Sequence, residues 1–594
     1  MDDQNKNLIL ATALSFLVIL IWYVVFPPPD PTLTSETPAV AEQQAQGADT
    51  ATTPALETTG APSDEVAAVE DAPRIEIDTP RIAGSISLTG GRLDDLSLKD
   101  YRVTQDADAE IVKVLSPVGS PSAYYALYGW APGAGLSVED VPGAGTAWSL
   151  AEGDVLSVGN PVTLSWDNGK GMEFTRQIAV DKDYMFTVTQ SVTNTSDSTA
   201  SLAPYGILAR HGEPQDLKNF FILHEGGMLM ADGELSETNY DDFETAAEFE
   251  EIQVTENGWI GFTDHYWMTT LIPTPGTPFK ASTFQDTRRG IYQTNAKLET
   301  QTLAPGQSAE VTTQLFAGAK EWATIRSYEG EGIDGFLNSI DWGWFYFLTK
   351  PIFWLLHELN KIIGNMGWAI IGLTLIIKAV LFPLAYKSYV SMAKMKELQP
   401  QMEKLKEAAG DDRQKMQLGM MELYKKEKVN PAAGCLPILL QIPIFFSLYK
   451  VIFVTIELRQ APFFGPFQDL SAPDPTSIMN FFGWAPWAGP EPESLMALIF
   501  IGILPLLLGI SMWIQQKLNP APTDPTQAMI FAWMPWVFMF MLGSFASGLV
   551  VYWIANNTIT FTQQYLIMRS QGYKPDVFGN IISGFKRGEK PEKK

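Results

Sequence analysis

Cysteine is almost missing from these 594 residues: Cys435 is the single one. A lone thiol excludes an intramolecular disulfide and cannot build a thiolate metal site. Histidine is nearly as scarce, with His211, His224, His265 and His357 and none beyond. A serine–histidine hydrolase or a histidine-ligated metal in the last third of the chain is therefore disfavoured. His357 is followed by Glu358, a pair that reads as the polar face of an amphipathic stretch. No G-x-x-x-x-G-K-[ST], G-x-S-x-G or H-E-x-x-H pattern occurs, so nothing points to nucleotide hydrolysis or to a familiar hydrolytic centre. We expect no enzyme activity, no cofactor and no metal. Basic residues are scarce in one block: from Pro27 to Gly335 there are 17 Lys+Arg against 47 Asp+Glu. That balance argues against nucleic acid as a partner of the block.

What is abundant is apolar sequence, and it is segregated. Residues Leu8 to Phe26 form a mostly apolar run without charge, about 28 Å as a helix. Its start, "MDDQNK", is not basic, and its end, "WYVVFPPPD", has no small-residue cleavage site. We read 1–26 as an uncleaved transmembrane anchor. Residues 27–73 contain no Lys, Arg or aromatic side chain and read as an extended, disordered linker. From Arg74 the texture changes to short alternating runs such as "RIEIDTPRIAGSISLTGG", "GMEFTRQIAVDKDYMFTVTQSVTN" and "AEVTTQLFAGAK". Period-two alternation broken by Gly, Asn, Asp and Pro predicts an antiparallel β-sandwich over 74–330.

Beyond Gly335 the chain returns to the membrane. Residues 336–361 mix aromatics with Asp341, Lys350, Glu358 and Lys361, which suits interfacial amphipathic helices. Five spans follow, near 362–385, 435–457, 495–514, 528–545 and 548–568, making six with the anchor. The segment 385–430 holds ten Lys+Arg and the tail from Arg569 holds seven, whereas 458–494 holds only Arg459. The positive-inside rule then places both termini in the cytoplasm and the acidic β domain on the opposite side. Within 386–430, Met395, Leu398, Met402 and Leu405 recur at helical spacing, and Met416, Met420 and Leu423 continue after "AAGDDR". Two helices reversing at Gly410 would pair these stripes. Such a hairpin is either a plain antiparallel coiled coil or, being basic and rich in methionine, an adaptable docking surface.

The run "GWAIIGLTLIIKAVLFPL" contains one charge, Lys378. It lies nine residues before Lys387, roughly 13 Å deeper along a helix, against a half-core of about 15 Å. Its stem could snorkel toward the cytoplasmic interface. Yet other spans also carry polar groups: Gln441 and Lys450 in one, Tyr552, Asn556, Asn557, Thr560, Gln563 and Gln564 in the last, and Thr374 one turn before Lys378. Polar groups facing lipid are unfavourable, so these should face one another or a water-filled cavity.

The blocks "SMAKMKELQPQMEKLKE", "MMELYKKEKVNPAAGCLPILLQIPIFFSLY", "ELRQAPFFGPFQDLSAPDP" and "FASGLVVYWIANNTITFTQQYLI" resemble the YidC family of membrane protein insertases. The anchor, "GWIGFTDHYWMTTLIP" and the C-terminal spans extend the likeness over most of the chain. The resemblance implies a multi-pass α-helical protein of the bacterial inner membrane, with six transmembrane helices and a periplasmic β-sandwich. Residues 362–568 would form the five-helix insertase core. It implies a hydrophilic groove open to cytoplasm and lipid, with the charge at Lys378 and with Thr374, Gln441, Tyr552, Trp553 and Asn556 lining it. Many relatives carry arginine at the position of Lys378, and lysine keeps the charge without the bidentate fork. Ile442, Phe445 and Met541 would belong to the apolar slide along which a substrate helix leaves. Met395, Met402, Met416 and Met420 would face the cytoplasm on the hairpin. The implied partners are nascent membrane proteins, the Sec translocon, the ribosome, a targeting receptor and the lipid bilayer. Two rivals stand beside this reading. Lys378 and Lys450 could serve an anion-binding solute transporter, although no internal repeat supports one, or the sandwich could be a carbohydrate receptor.

Overall fold

Strict alternation is visible in the strand Met172–Val180, where Met172, Phe174, Arg176, Ile178 and Val180 are buried and the residues between them are not. It turns through Asp181, whose Oδ1 accepts from the amides of Asp183 (2.9 Å) and Met185 (3.0 Å), and pairs with the antiparallel strand Met185–Asn194. The strand Ser308–Ala319 continues the same sheet on the far side. Our computed structural model describes residues 72–575, apart from breaks at 107, 218–222, 246–248, 411, 428, 430–435, 488, 491–493, 495, 497–498, 520–524 and 574. The expected anchor 1–26, nearly all of the linker 27–73 and the tail beyond 575 lie outside the described residues.

The region rich in alternating runs forms an 11-stranded and a 9-stranded sheet packed face to face around one core that includes Trp130, Trp259, Phe174, Phe262 and Phe316. Face-to-face packing of two twisted sheets follows from each having one apolar face. The expectation of purely antiparallel pairing needs one correction. Val155–Leu156 runs parallel to Arg74–Asp78 at the sheet edge, which short edge contacts tolerate because no tight hairpin joins them. Arg176 is the other surprise. Its inward register forces a guanidinium into the core, where it donates to the carbonyls of Gly90 (3.1 Å), Gly91 (3.0 Å) and Tyr128 (2.5 Å).

Helix α1 (Trp322–Gly330) closes the sandwich, burying Ile325 and donating Tyr328 Oη to Asp181 at 2.7 Å. Then come α2 (Tyr346–Ile363), α3 (Met366–Val380), α4 (Phe382–Ala409), α5 (Arg413–Lys426), α6 (Leu436–Val454), α7 (Ile503–Gln516), α8 (Pro525–Met541) and α9 (Ser547–Ser570). Among the described residues, one stretch, Gln527–Ser544, is long and apolar enough by itself to cross a membrane. α3 and α4 qualify only as a pair bent by 70°, where 362–385 was expected to be one span. Pro383 lies in the first turn of α4, and without an amide hydrogen it cannot continue the α3 ladder by donating to the Ala379 carbonyl. α7 also starts later than expected, because Ile503 N donates to Thr476 Oγ1 (2.9 Å) and Leu504 N to Asp474 Oδ2 (2.7 Å). Those caps satisfy amides that a helix start leaves open.

The β domain is tied to the helices by polar contacts. His265 Nε2 meets the Phe453 carbonyl at 2.7 Å, Trp322 N donates to Glu457 Oε1 at 3.0 Å, and Arg459 and Gln460 donate to the Arg102 carbonyl at 2.6 and 3.1 Å. Lys320 is buried here, donating to Thr263 Oγ1 at 2.8 Å. Burial pulls its pKa down to about 8.

Candidate functional site

α3 begins where Asn365 Oδ1 accepts the amide of Trp368 at 3.1 Å, an N-cap that its residue type favours. From that start Ala369, Ile370 and Leu373 reach the helical core shared with α6 and α9. Thr374 lies on the same face but is spent within its own helix, donating Oγ1 to the Ile370 carbonyl at 2.7 Å. One turn on, Lys378 is half-buried, and its Nζ donates to Gln441 Oε1 on α6 at 3.2 Å. Gln441 Nε2 in turn donates to Tyr552 Oη on α9. The structure thus brings Lys378, Gln441 and Tyr552 into one hydrogen-bonded run across three apolar helices. Among the described residues no carboxylate lies within ion-pair distance of Lys378.

α9 extends this polarity. Tyr552, Asn556, Thr560 and Gln564 follow at four-residue spacing, so they share one face, and all four are buried. Asn557 donates to Ser511 Oγ (3.1 Å) and Gln564 to Asn519 Oδ1 (3.2 Å), joining α9 to α7 and to the turn after it. The side-chain oxygen of Asn556 meets no hydrogen-bonding partner among the described residues. Trp553 stacks on Phe445 of α6, with ring centroids 4.7 Å apart and planes 9° apart. Ile442 on α6 and Met541 on α8 are exposed, each an apolar side chain on the outside of its helix.

In the hairpin, Gly410 adopts φ 53°, ψ −125°, a region open to glycine, and α5 begins with Asp412 capping Lys415 N. Met395 and Met402 pack with Leu398, Leu405, Leu423 and Val429 between the two helices. Met416 and Met420 are half-buried outside that cluster.

Lys450 parts company with Lys378. It is 8 % exposed and pairs with Asp341, which also accepts from His224 N (3.2 Å) and Gly343 N (3.1 Å). An anion site shared by the two lysines finds no support in this arrangement. Sequence reasoning noticed Lys450 but missed its carboxylate, because Asp341 lies 109 residues earlier in a stretch with no periodicity linking it to α6. No group of three or more His, Cys, Asp or Glu among the described residues is placed to hold a metal ion.

Comparison with known proteins follows the same division of the chain. The YidC periplasmic domain family matches residues 74–355, and the 60Kd inner membrane protein family matches residues 358–574. The chain is 71% identical to the membrane protein insertase YidC of Ruegeria pomeroyi, with 100% of both chains covered. It is 70% identical to that of Roseobacter denitrificans, again with 100% of both covered. A solved active YidC insertase with its first transmembrane domain resolved is 18% identical, with 83% of this chain and 92% of that one covered and a TM-score of 0.34.

Proposed function

The chain belongs to the YidC family of membrane protein insertases, and we propose that it inserts its substrates through a hydrophilic groove whose charge is Lys378. Gln441, Tyr552 and Asn556 line this groove, with Thr374 and Trp553 at its walls, and it opens to the cytoplasm and to lipid. Six spans, with both termini cytoplasmic, hold the groove in place. The observation that carries this reading is the Lys378–Gln441–Tyr552 run: a cation among apolar helices, held by an amide that a phenol anchors in turn, rather than by a carboxylate.

The physics is a reduction of a desolvation barrier. A polar or acidic segment entering hydrocarbon loses its water, and the loss is large for a charge. A hydrated, positively charged groove shortens the dry part of the path. The membrane potential contributes about 2.3 kcal/mol per charge per 100 mV to the passage of an acidic segment. The substrate's apolar helix then partitions into lipid along Ile442, Phe445 and Met541, and burial of its surface drives completion without a nucleotide. The protein works alone or beside the Sec translocon, and the basic hairpin with Met395, Met402, Met416 and Met420 meets the ribosome and a targeting receptor.

The test is insertion of a short acidic-tailed substrate in cells depleted of their native insertase. Wild type is compared with Lys378→Arg, Lys378→Gln and Lys378→Ala at matched expression. We expect Arg to support insertion and both neutral variants to fail. Equal insertion by all four would show that Lys378 only snorkels.

A further inference from the structure

The 11-stranded sheet has an outer face that the core does not use. Leu93 pairs with Ala126, Ala126 with Leu208, and all three join the main core. Alternation then turns their neighbours Arg92, Asp94, Tyr125, Leu127, Ala209 and His211 outward. Tyr125, Leu127, Ile207 and Ala209 make a second, smaller apolar cluster there. Polar groups stand at its edges.

Arg74 and Arg92 both act on the buried Asp94 carboxyl, but only Arg74 bonds to it. Asp94 pairs with Arg74, Asp95 with Lys113 at 3.0 Å, and Asp286 with Arg289 at 3.7 Å. Arg92 is only 5 % exposed, yet it has no ion pair or hydrogen bond among the described residues, and its Nε is buried without a partner. Its neighbour is the ring of Tyr125, 5.8 Å from the guanidinium. That ring lies against His211 at 5.8 Å, and His211 Nε2 is likewise buried without a partner. Burial, followed by Arg289 and Arg92, lowers the His211 pKa, so positive charge converges on the imidazole from two sides. Asp94 Oδ2 is a third buried atom without a hydrogen-bond partner. A buried guanidinium without an acceptor is unfavourable, and this one occurs in a domain with a large excess of acid.

We propose that Arg92, Tyr125 and His211 form a binding site for the oxyanion of a small solute, a carboxylate or a phosphate, with Arg289 at its rim. The guanidinium forks onto two oxygens, the Tyr125 ring holds it in place, and protonated His211 supplies a second donor once the anion offsets the neighbouring arginines. A free solute or a lipid headgroup could present this chemistry.

The experiment is calorimetric titration of the full chain in nanodiscs of zwitterionic lipid, with inorganic phosphate and then acetate at fixed chloride. A second set of nanodiscs containing phosphatidylglycerol separates the two sources, because a headgroup in the site would block the phosphate titration there. We expect saturable 1:1 binding in zwitterionic discs. Arg92→Gln should weaken it at least tenfold and His211→Gln several-fold, with substrate insertion unchanged in both. Absence of saturable binding by either anion in zwitterionic discs, or unchanged affinity in Arg92→Gln, overturns the site. Should Arg92→Gln fail to fold, unchanged affinity in His211→Gln overturns it instead.

Discussion

Replacing Lys450 by methionine breaks the pair that joins α6 to the segment following the β domain. Both partners are shielded, with side-chain exposures of 10% and 19%, so solvent screening offers little relief. Removing one member of a buried pair typically costs about 3–5 kcal/mol, because the other charge is left stranded. Here Asp341 keeps two amide donors, from His224 and Gly343, which places the expectation at the lower end, about 3 kcal/mol. Asp341→Asn should cost a similar amount by stranding the lysine. The double variant Lys450→Met/Asp341→Asn leaves no charge behind and should recover most of the loss, a coupling of about 2 kcal/mol or more. Unfolding of the full chain in detergent by increasing SDS, followed by tryptophan fluorescence, measures all four corners of the cycle. A loss below about 0.5 kcal/mol in Lys450→Met, the range of an ordinary surface change, would refute the assignment of this pair as a clamp. So would a double variant no better than the sum of the singles.

Lys320 gives a pH signature of the same junction. Its folded pKa of about 8 lies below the unfolded value of about 10.4, so between the two the unfolded chain binds more protons, and stability rises with pH. The penalty is fully present below pH 8 and gone above the unfolded pKa, a span of about 3 kcal/mol. Lys320→Met should abolish that rise relative to wild type in denaturation profiles collected from pH 7.5 to 10.5, and a parallel profile would contradict it. Arg176→Met strips three carbonyls of their donor and should destabilise the β domain by about 3 kcal/mol, read in near-ultraviolet dichroism through Trp148, over which the guanidinium lies at 4.5 Å. Gly367→Ala would set a methyl group 2.1 Å from Phe463 Cδ2. A cost of about 1–3 kcal/mol is expected, with faster proteolysis of the loop containing Phe463, and an unchanged cleavage pattern would count against that contact.

The β-rich domain was legible because alternation is a local signal: each strand announces which face it buries. The parallel edge contact of Val155–Leu156 was not, since nothing near those two residues names a partner some eighty positions earlier. Arg176 was hidden for the same reason. Its inward register could be counted from Phe174 and Ile178, but the three carbonyls that make burial tolerable come from Gly90, Gly91 and Tyr128, on other strands. In the helical part, hydropathy finds apolar runs but not their breaks. The bend at Leu381 depends on Pro383, and the late start of α7 depends on Asp474 and Thr476, whose side chains cap it from a distant loop.

Lys378 of α3 and Lys450 of α6 show where sequence reading stops and why. Lys378 and Lys450 look alike in composition: each is one cation in an apolar helix that contains no acid. Their difference is wholly tertiary. Lys450 receives a carboxylate from Asp341 across 109 residues, and two amides hold that carboxylate in place, so its charge is neutralised where it stands. Among the described residues Lys378 receives only Gln441 and, through it, Tyr552. An amide oxygen solvates an ammonium but does not cancel its charge, and the cation keeps a long-range field that a paired lysine lacks. If the electrostatic account of insertion is correct, charge removal at Lys378 should impair acidic substrates more than neutral ones. The Lys450→Met/Asp341→Asn double change should leave that preference intact, because it removes a charge pair that already sums to zero.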